Sequence, residues 1–396
     1  MQVTITANIH RGHRGYNSVT LELPADRFSL ADALECARVP QGGGYELHRF
    51  AGWPEFTKGA LAVAGDKTLE EVNFLAYKVK GMDADQLRTY EGMLKLHFDS
   101  DNRSPMTMKE LINAAYNLNC FEFYPGVTDC YELGEICMQG EIPDWMKGLP
   151  DEIFEMLDPG KVGASVCHEE QGVFTREGYL FRSAPDGPEI YDGIHLPEQE
   201  HCRSGIISLR LERAESPLDA DSGVWLELPA DERMLRQVLD SLKENDFNAC
   251  VIAEVESIVP AMKYWLAKDE DIKKLNELAE RIAAFPDSRA LTKYKAILMM
   301  EDCCDLDMVL DIANNLDCYD FDSLIISPDH YAEYILKEAG FDPDDPAFRG
   351  FDFHGYGERQ LQDSGHVVTA YGTVLRNEVP FIHEYTDGPK QGMAMQ

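Results

Sequence analysis

Apolar residues recur along the chain with two different spacings, and each change of spacing marks a new predicted element. Val3–Ile9 alternates between apolar and polar residues, which is typical of a half-buried strand. Val19–Leu23 predicts a second strand, which Pro24 stops because proline has no N–H to donate to a sheet. Phe28–Ala37 has the spacing of a short amphipathic helix. The chain therefore opens with a small antiparallel sheet and one helix.

A predominantly helical part follows. Thr68 stands three residues before Glu71, and Thr107 stands three residues before Glu110. This spacing is that of a capping box, in which the threonine and the glutamate each accept a backbone N–H of the first helical turn. Apolar residues at helical spacing follow both pairs. We therefore predict helices that begin just after Thr68 and Thr107.

The helical spacing changes again at Phe121, where we predict a strand, followed by a helix near Cys130–Cys137. Two further β-like segments are predicted around Ala164–Cys167 and over Val173–Arg182. Together with the preceding parts, this gives a small α/β part, a helical part and a closing α/β part.

The same order recurs later in the chain. Four collinear matches carry the repetition, and their offset falls slowly from 205 to 194 residues, as small loop insertions would produce. They pair Val19–Asp26 with Val224–Asp231, Leu69–Ala76 with Ile272–Ala279, Asn117–Phe123 with Asn315–Phe321, and Thr175–Arg182 with Thr369–Arg376. We predict an α+β protein made of two tandem homologous lobes, with lobe one at residues 1–185 and lobe two at 205–380. The residues at 186–204, rich in Pro, Gly and acids, are the predicted linker, and 381–396 is the predicted tail.

The most acidic stretch of the chain is Glu301–Asp345, with fourteen acidic side chains and one basic one, Lys337. A run of like charge this dense usually indicates disorder. Apolar residues at helical and then strand spacing run through it, however, so we expect the acids to lie on a folded surface.

Acidity also extends over the whole chain, whose formal net charge is −35. Self-repulsion on this scale costs stability. Solubility, a salt-rich environment or a partner with a basic surface would each explain its retention. The ten cysteines form no Cys-x-x-Cys pair and no zinc-like spacing, so no metal or other cofactor is expected. We find no signal peptide and no apolar run long enough to span a membrane, which predicts a cytoplasmic protein.

The spacing of the acids suggests what such a surface can imitate. Asp307 and Asp311, one helical turn apart and predicted to face outward, would lie about 5–6 Å from each other. Asp320 and Asp322 are predicted on one face of a strand, roughly 6.6 Å apart. Each strand of a DNA duplex carries about one phosphate per 3.4 Å of its axis. A groove built for DNA would meet charge at a comparable spacing here.

The order of parts resembles the ArdA-type antirestriction proteins. The resemblance rests on Leu-Glu-Leu-Pro-Ala-Asp after an opening strand, the helix segment Leu275–Ala279, the acidic segment Asn315–Phe321 and the closing β segment; it is better over about 206–376 than in lobe one. It implies an elongated, non-enzymatic DNA mimic that protects mobile DNA. Such a mimic occupies the DNA-binding groove formed by the specificity and methyltransferase subunits of a type I restriction–modification enzyme. With two units in one chain, the resemblance leaves open an internal pseudo-dimer or a homodimer that forms a longer mimic.

The predicted partner-binding surface consists of acidic residues from both lobes. They are Asp302, Asp305, Asp307, Asp311, Asp317, Asp320, Asp322, Asp329 and Glu333 in lobe two, and Glu110, Glu122, Asp129, Glu132 and Glu135 in lobe one. The alternatives are an acidic inhibitor of another DNA-binding defence protein, an acidic scaffold or chaperone-like module, and a metal-dependent hydrolase in which Asp302, Asp305 and Asp307 hold Mg²⁺. The sequence contains no basic patch for direct nucleic-acid binding.

Overall fold

The computed structural model describes residues 1–10, 12–16, 18–99, 104–140, 142, 144–185, 187–197, 203–214 and 223–386. Most of the predicted tail and part of the predicted linker therefore lie outside the described residues. The strands are β1 (Gln2–Ala7), β2 (Val19–Glu22), β3 (Tyr45–Ala51), β4 (Phe121–Pro125), β5 (Val173–Phe174), β6 (Gly178–Arg182), β7 (Ile207–Arg213), β8 (Val224–Leu228), β9 (Cys250–Ser257), β10 (Tyr319–Asp322), β11 (Val367–Thr369) and β12 (Gly372–Arg376).

The helices of the first half are α1 (Arg27–Cys36), α2 (Glu55–Val63), α3 (Leu69–Lys80), α4 (Ala84–Asp99), α5 (Met108–Tyr116), α6 (Cys130–Gly140), α7 (Asp151–Phe154) and α8 (Pro159–Glu170). Those of the second half are α9 (Glu232–Leu242), α10 (Met262–Trp265), α11 (Ile272–Ala283), α12 (Ser288–Met300), α13 (Leu306–Asn314), α14 (Pro328–Glu338) and α15 (Phe353–Ser364). Helices and small three-stranded sheets occur together, so the α+β class is confirmed.

The strand order of the sheets repeats between the two halves. The opening sheets have the orders β2-β1-β3 and β8-β7-β9, and the closing sheets have the orders β4-β6-β5 and β10-β12-β11. The strand pairs of both closing sheets and of β8-β7-β9 are antiparallel. The four matched segments of the sequence thus belong to parts of the chain whose sheets have the same strand order. The predicted elongation and lobe boundaries stay predictions.

Single side chains also keep their contacts in both halves. The Asn73 side-chain oxygen accepts the backbone N–H of Ala25 at 2.7 Å, and Asn276 does the same for Ala230 at 2.7 Å. The buried Tyr90 and Tyr294 hydroxyls each donate to a backbone carbonyl of the next helix, at 3.0 Å in both cases. These contacts fix the residue-by-residue alignment of the two halves.

The packing separates the chain into two compact units. Unit 1 contains Met1–Thr4, Thr20–Ala25 and Leu47–Glu200, and unit 2 contains Ile5–Val19, Asp26–Glu46 and His201–Gln396. Helix α1 thus packs within unit 2.

The largest apolar cluster of unit 2 extends from its opening sheet through its helices to its closing sheet, and two smaller clusters lie around α14 and α15. Leu209 and Leu226 contribute from the first sheet, Leu278 and Ile297 from the helices, and Val374 from the last strand. In unit 1, a smaller cluster fills the closing part, where Leu133, Val162 and Tyr179 come together, among other residues.

The two predicted capping boxes are confirmed. Thr68 Oγ1 accepts the Glu71 N–H at 3.1 Å, and the Glu71 carboxylate accepts the Thr68 N–H at 2.8 Å. Thr107 and Glu110 exchange the same two hydrogen bonds, at 3.3 and 2.7 Å. The helices α3 and α5 begin directly after these threonines.

The β-like segment predicted around Ala164–Cys167 is wrong, because these residues lie inside α8. The Asp158 side chain caps the helix and Pro159 occupies its first turn. Val162 and Val166 are one turn apart and buried, so the apolar residues follow a helical spacing over a longer window.

A segment after each closing sheet packs against the helix that precedes that sheet. In unit 1, Asn113 on α5 accepts the N–H groups of Ile190 and Tyr191 at 2.8 and 2.9 Å, although both residues belong to the predicted linker. In unit 2, the counterpart of Asn113 is Asp311 on α13, which holds 384–386 in the same way. We call these two segments the straps.

Candidate acidic binding surface

The predicted acidic surface of unit 2 begins at the first turn of α13. Asp305 caps this helix, since its Oδ1 accepts the N–H groups of Asp307 and Met308 at 2.9 and 3.1 Å. The cap fixes one oxygen of the Asp305 carboxylate, and the residue is exposed. Asp307 is one-third exposed and pairs with Lys274, which raises the pKa of that lysine. The first turn thus presents one free carboxylate and one neutralised carboxylate.

Asp311 does not lie on this surface, and its predicted outward orientation is wrong. Its side chain is completely buried and accepts the N–H groups of Glu384, Tyr385 and Thr386 at 2.8–3.0 Å, as well as the Thr386 hydroxyl at 2.5 Å. Burial opposes ionisation of the Asp311 carboxyl, but these hydrogen bonds outweigh it and hold its pKa below the usual range. Asp311 is an anchor for the strap of unit 2.

Strand β10 lies at the edge of the closing sheet and carries the next two acids. Asp320 is exposed, whereas Asp322 is half-buried and accepts the Leu324 N–H at 2.8 Å. Asn377 donates to the Asp320 carboxylate at 3.2 Å and to the Asp317 carbonyl at 2.9 Å. The side chains of Asp320 and Asp322 lie on one face of the strand, as the period of two predicts.

Helix α14 presents its acids in ion pairs. Ser327 caps the helix and Pro328 follows in its first turn. Asp329 is 20% exposed and lies 2.9 Å from His354, and this hydrogen bond raises the pKa of His354. Glu333 pairs with Arg14 at 3.1 Å. These two carboxylates are partly neutralised within unit 2.

The fourteen predicted residues therefore fall into three groups. The exposed ones are Asp302, Asp305, Asp317, Asp320, Glu110, Glu122, Asp129 and Glu135; the half-buried ones are Asp307, Asp322, Asp329, Glu333 and Glu132; the buried one is Asp311. Those with numbers above 300 belong to unit 2 and the others to unit 1.

In unit 1, backbone N–H groups hold three of the five acids. Asp129 accepts the N–H groups of Tyr131 and Glu132 at 2.8 and 2.9 Å, and Glu132 accepts that of Thr128 at 2.7 Å. The N–H of Thr107 holds the pKa of Glu110 below its usual range. Glu122 and Glu135 are exposed on β4 and α6.

The prediction omits four exposed acids, of which Glu338 is the last residue of α14 and Asp342, Asp344 and Asp345 follow that helix. Asp342 accepts the Asp344 N–H at 3.1 Å and Asp345 accepts the Ala347 N–H at 2.8 Å. The Asp-Pro and Asp-Asp-Pro order of this segment is a turn signal that would have placed them on a fixed, exposed loop.

Within the described part of the chain, no group of three or more His, Cys, Asp or Glu side chains is close enough to hold a metal ion. The same residues include no helix that is both long and apolar enough to cross a membrane.

No protein-family model matches this chain, and no curated protein matches it with significance.

Proposed function

We propose that this protein is a DNA mimic that inhibits a type I restriction–modification enzyme by occupying the DNA-binding groove of its specificity and methyltransferase subunits. It acts by binding and not by catalysis. Besides the family resemblance, the observation that carries the proposal is the way in which the exposed carboxylates of unit 2 are held.

Several of these carboxylates are fixed by the backbone of short turns and helix starts. Asp305, Asp342 and Asp345 each use one oxygen to accept a backbone N–H, and all three residues are exposed. A charge that is already ordered loses little conformational entropy when a partner binds it. Such a surface differs from a flexible acidic tail, whose charges have no fixed spacing.

The balance of charge on this surface also favours a basic partner. Of the fourteen acids in 301–345, eight are exposed: Asp302, Asp305, Asp317, Asp320, Glu338, Asp342, Asp344 and Asp345. Lys337 is the single basic residue within the stretch, and Lys293 lies near Asp317 and Asp320. The remaining negative charge is available to arginines and lysines that otherwise contact phosphates.

The test is competition with DNA for a purified type I methyltransferase core at several salt concentrations. We expect the protein to displace DNA, with an affinity that falls steeply as the salt concentration rises from about 50 to 200 mM. Binding that ignores salt, or that occurs together with DNA, would contradict mimicry. Displacement of DNA from an unrelated DNA-binding defence enzyme but not from this one would identify the alternative target.

A matched pair of variants tests the surface itself. The triple variant Asp305→Asn, Asp317→Asn, Asp320→Asn removes three exposed charges, and asparagine keeps the cap of α13. The control variant Asp66→Asn, Glu152→Gln, Glu155→Gln removes three exposed charges of unit 1 that lie outside the predicted surface. We expect only the first variant to weaken inhibition. Equal effects would mean that net charge alone matters.

A further inference from the structure

Helix α1 packs on a polar surface within unit 2. This surface, which we call the seat, is formed by Thr292, Lys295 and Tyr371. Asp32 accepts a hydrogen bond from Lys295 on α12 at 2.7 Å and from the Tyr371 hydroxyl at 3.0–3.1 Å. Glu35 lies 3.2 Å from Lys295 and also accepts the hydroxyl of Thr292. Lys295 is only 5% exposed, so these contacts are largely shielded from solvent. The seat is therefore a built docking site for one face of a helix.

Helix α9 is the counterpart of α1 in the second half, and its corresponding face is uncovered. Both helices begin after a capping aspartate that follows a Pro-Ala pair. Ser29 of α1 is 3% exposed, whereas Met234 at the same position of α9 is 41% exposed. Gln237 and Asp240, at the positions of Asp32 and Glu35, are also exposed.

Unit 1 contains the counterpart of the seat. The alignment of Tyr90 with Tyr294 places Glu91 at the position of Lys295 and Arg88 at that of Thr292. The match of the closing strands places Glu177 at the position of Tyr371. Arg88 bonds to Glu177 within unit 1, so the two side chains project from the same surface. Arg88 is 36% exposed and Glu177 is 57% exposed.

The side chains at the corresponding positions of α9 and unit 1 differ from those of the α1 contact on both sides. In unit 2, the carboxylate of Asp32 meets two donors, an ammonium group and a hydroxyl group. At the corresponding positions, the amide of Gln237 would offer donors to the carboxylates of Glu91 and Glu177. Asp240 would face Arg88, and the carboxylate and the guanidinium group would form an ion pair. Three of the four contacts of the seat thus keep a donor opposite an acceptor, and the fourth, from Glu35 to Lys295, corresponds to Asp240 beside Glu91.

We propose that α9 of one chain docks on the α4 surface of unit 1 in a second copy of this chain, in the manner in which α1 occupies its seat in unit 2. The exposed Met234 would be covered at this contact, as Ser29 is in unit 2. The contact joins two different surfaces, so it is head-to-tail, and it continues beyond a dimer unless the series closes into a ring. The proposal does not depend on the proposed function.

The first experiment is sedimentation velocity of the full chain over a range of micromolar concentrations. We expect the average mass to rise with concentration above the 44.7 kDa of one chain. Met234→Glu, which places a charge at the centre of the docking face, should weaken association about tenfold or more. A mass of one chain at every concentration, or an unchanged association of the Met234→Glu variant, would overturn the proposal.

A charge exchange separates this contact from other modes of association. Gln237→Asp alone should weaken association, because its carboxylate would meet those of Glu91 and Glu177. Gln237→Asp combined with Glu91→Lys recreates the Asp32–Lys295 pair across the contact and should restore association. Arg359→Glu on α15 is the matched control for an exposed charge reversal and should leave association unchanged. Failure of the double variant to recover, with both single variants folded by circular dichroism, would show that these surfaces do not meet.

Discussion

Asp311 and Asn113 occupy the same position of the duplicated fold and hold equivalent straps with different chemistry. Asn113 uses a neutral amide, which accepts two N–H groups and donates to the Tyr191 carbonyl at 2.8 Å. Asp311 uses a carboxylate that accepts three N–H groups and one hydroxyl. In both halves the side chain at this position accepts backbone N–H groups of the strap, although it is neutral in one half and charged in the other.

The anchoring role of Asp311 gives a prediction for stability. Asp311→Ala leaves three N–H groups of the strap without their acceptor and should lower the free energy of unfolding by about 2–4 kcal/mol. Asp307→Asn, which removes only a part-exposed ion pair with Lys274, should cost at most about 1 kcal/mol. Urea unfolding followed by circular dichroism measures both. Similar losses for the two variants would mean that the strap contributes little.

The same carboxylate predicts a pH dependence. Because the pKa of Asp311 is lower in the folded protein, its contribution to stability is complete above the pKa of an unfolded aspartate, about 3.9. The contribution is lost as the pH falls through the folded pKa. The stability difference between the wild type and Asp311→Asn should therefore shrink below about pH 4, which unfolding curves over that range test. A constant difference would contradict the assignment.

Two histidines on or against α14 should have pKa values shifted in opposite directions from that of free histidine. The hydrogen bond with Asp329 raises the pKa of His354, so its stabilising effect is present below the unfolded pKa and is lost as pH rises through the folded one. Burial lowers the pKa of His330, so its contribution is present above the unfolded pKa and is lost as pH falls. NMR titration of the imidazole protons, assigned with His330→Gln and His354→Gln, measures both. A His330 pKa above that of free histidine would contradict the effect of its partial burial.

At the scale of elements, pairs of helices in the closing parts depend on glycines at their crossings. A Cβ on Gly163 would lie 1.9 Å from the Cys130 carbonyl oxygen, and one on Gly357 would lie 1.8 Å from that of Pro328. The backbones of α6 and α8, and of α14 and α15, approach so closely that no side chain fits between them.

Glycine-to-alanine substitutions should therefore change stability in opposite directions at these crossings and at an open helix surface. Gly163→Ala and Gly357→Ala should each destabilise by about 1–3 kcal/mol, because the helices must move apart. Gly59→Ala on α2 meets no atom within 4 Å and should stabilise by up to about 1 kcal/mol, because alanine favours a helix. Thermal unfolding of the three variants provides the measurement. Stabilisation by Gly163→Ala would show that α6 and α8 leave room for a methyl group at this crossing.

The elements differ in how well the sequence predicts them, and the reason is the range of the interactions that fix them. The helices after Thr68 and Thr107 were predictable because both partners of each capping box lie within four residues. The interior of α8 was mistaken for a strand because short apolar and β-branched residues, including Val162 and Val166, match both periods in a narrow window.

The acidic surface shows the same limit. Periodicity assigned Asp311 to the outer face of α13, yet its acceptor role is set by the strap some seventy residues later in the chain, which no local pattern reveals. Exposure of Asp305 and Asp320, in contrast, follows from local capping and strand alternation. Long-range contacts therefore decide which of the acids remain available to a partner.

At the scale of the whole molecule, the net charge of −35 acts on folding and on binding in opposite ways. Repulsion among exposed acids destabilises the free protein, and salt screens it over distances longer than about 10 Å at 0.1 M. Sodium chloride should therefore raise the thermal unfolding temperature by several degrees. The same screening weakens the attraction of a basic groove, so inhibition of the restriction enzyme should fall over the same range of salt.

This pair of opposite trends separates loss of binding from loss of folding. Calorimetry and DNA competition at matched sodium chloride concentrations would measure the two trends side by side. If the fall in inhibition came from unfolding, the unfolding temperature would fall with it. The triple variant Asp305→Asn, Asp317→Asn, Asp320→Asn should show both a higher unfolding temperature at low salt and a weaker dependence of inhibition on salt, because the repulsion and the attraction originate in the same carboxylates. An unchanged salt dependence in this variant would place the contact elsewhere on the molecule.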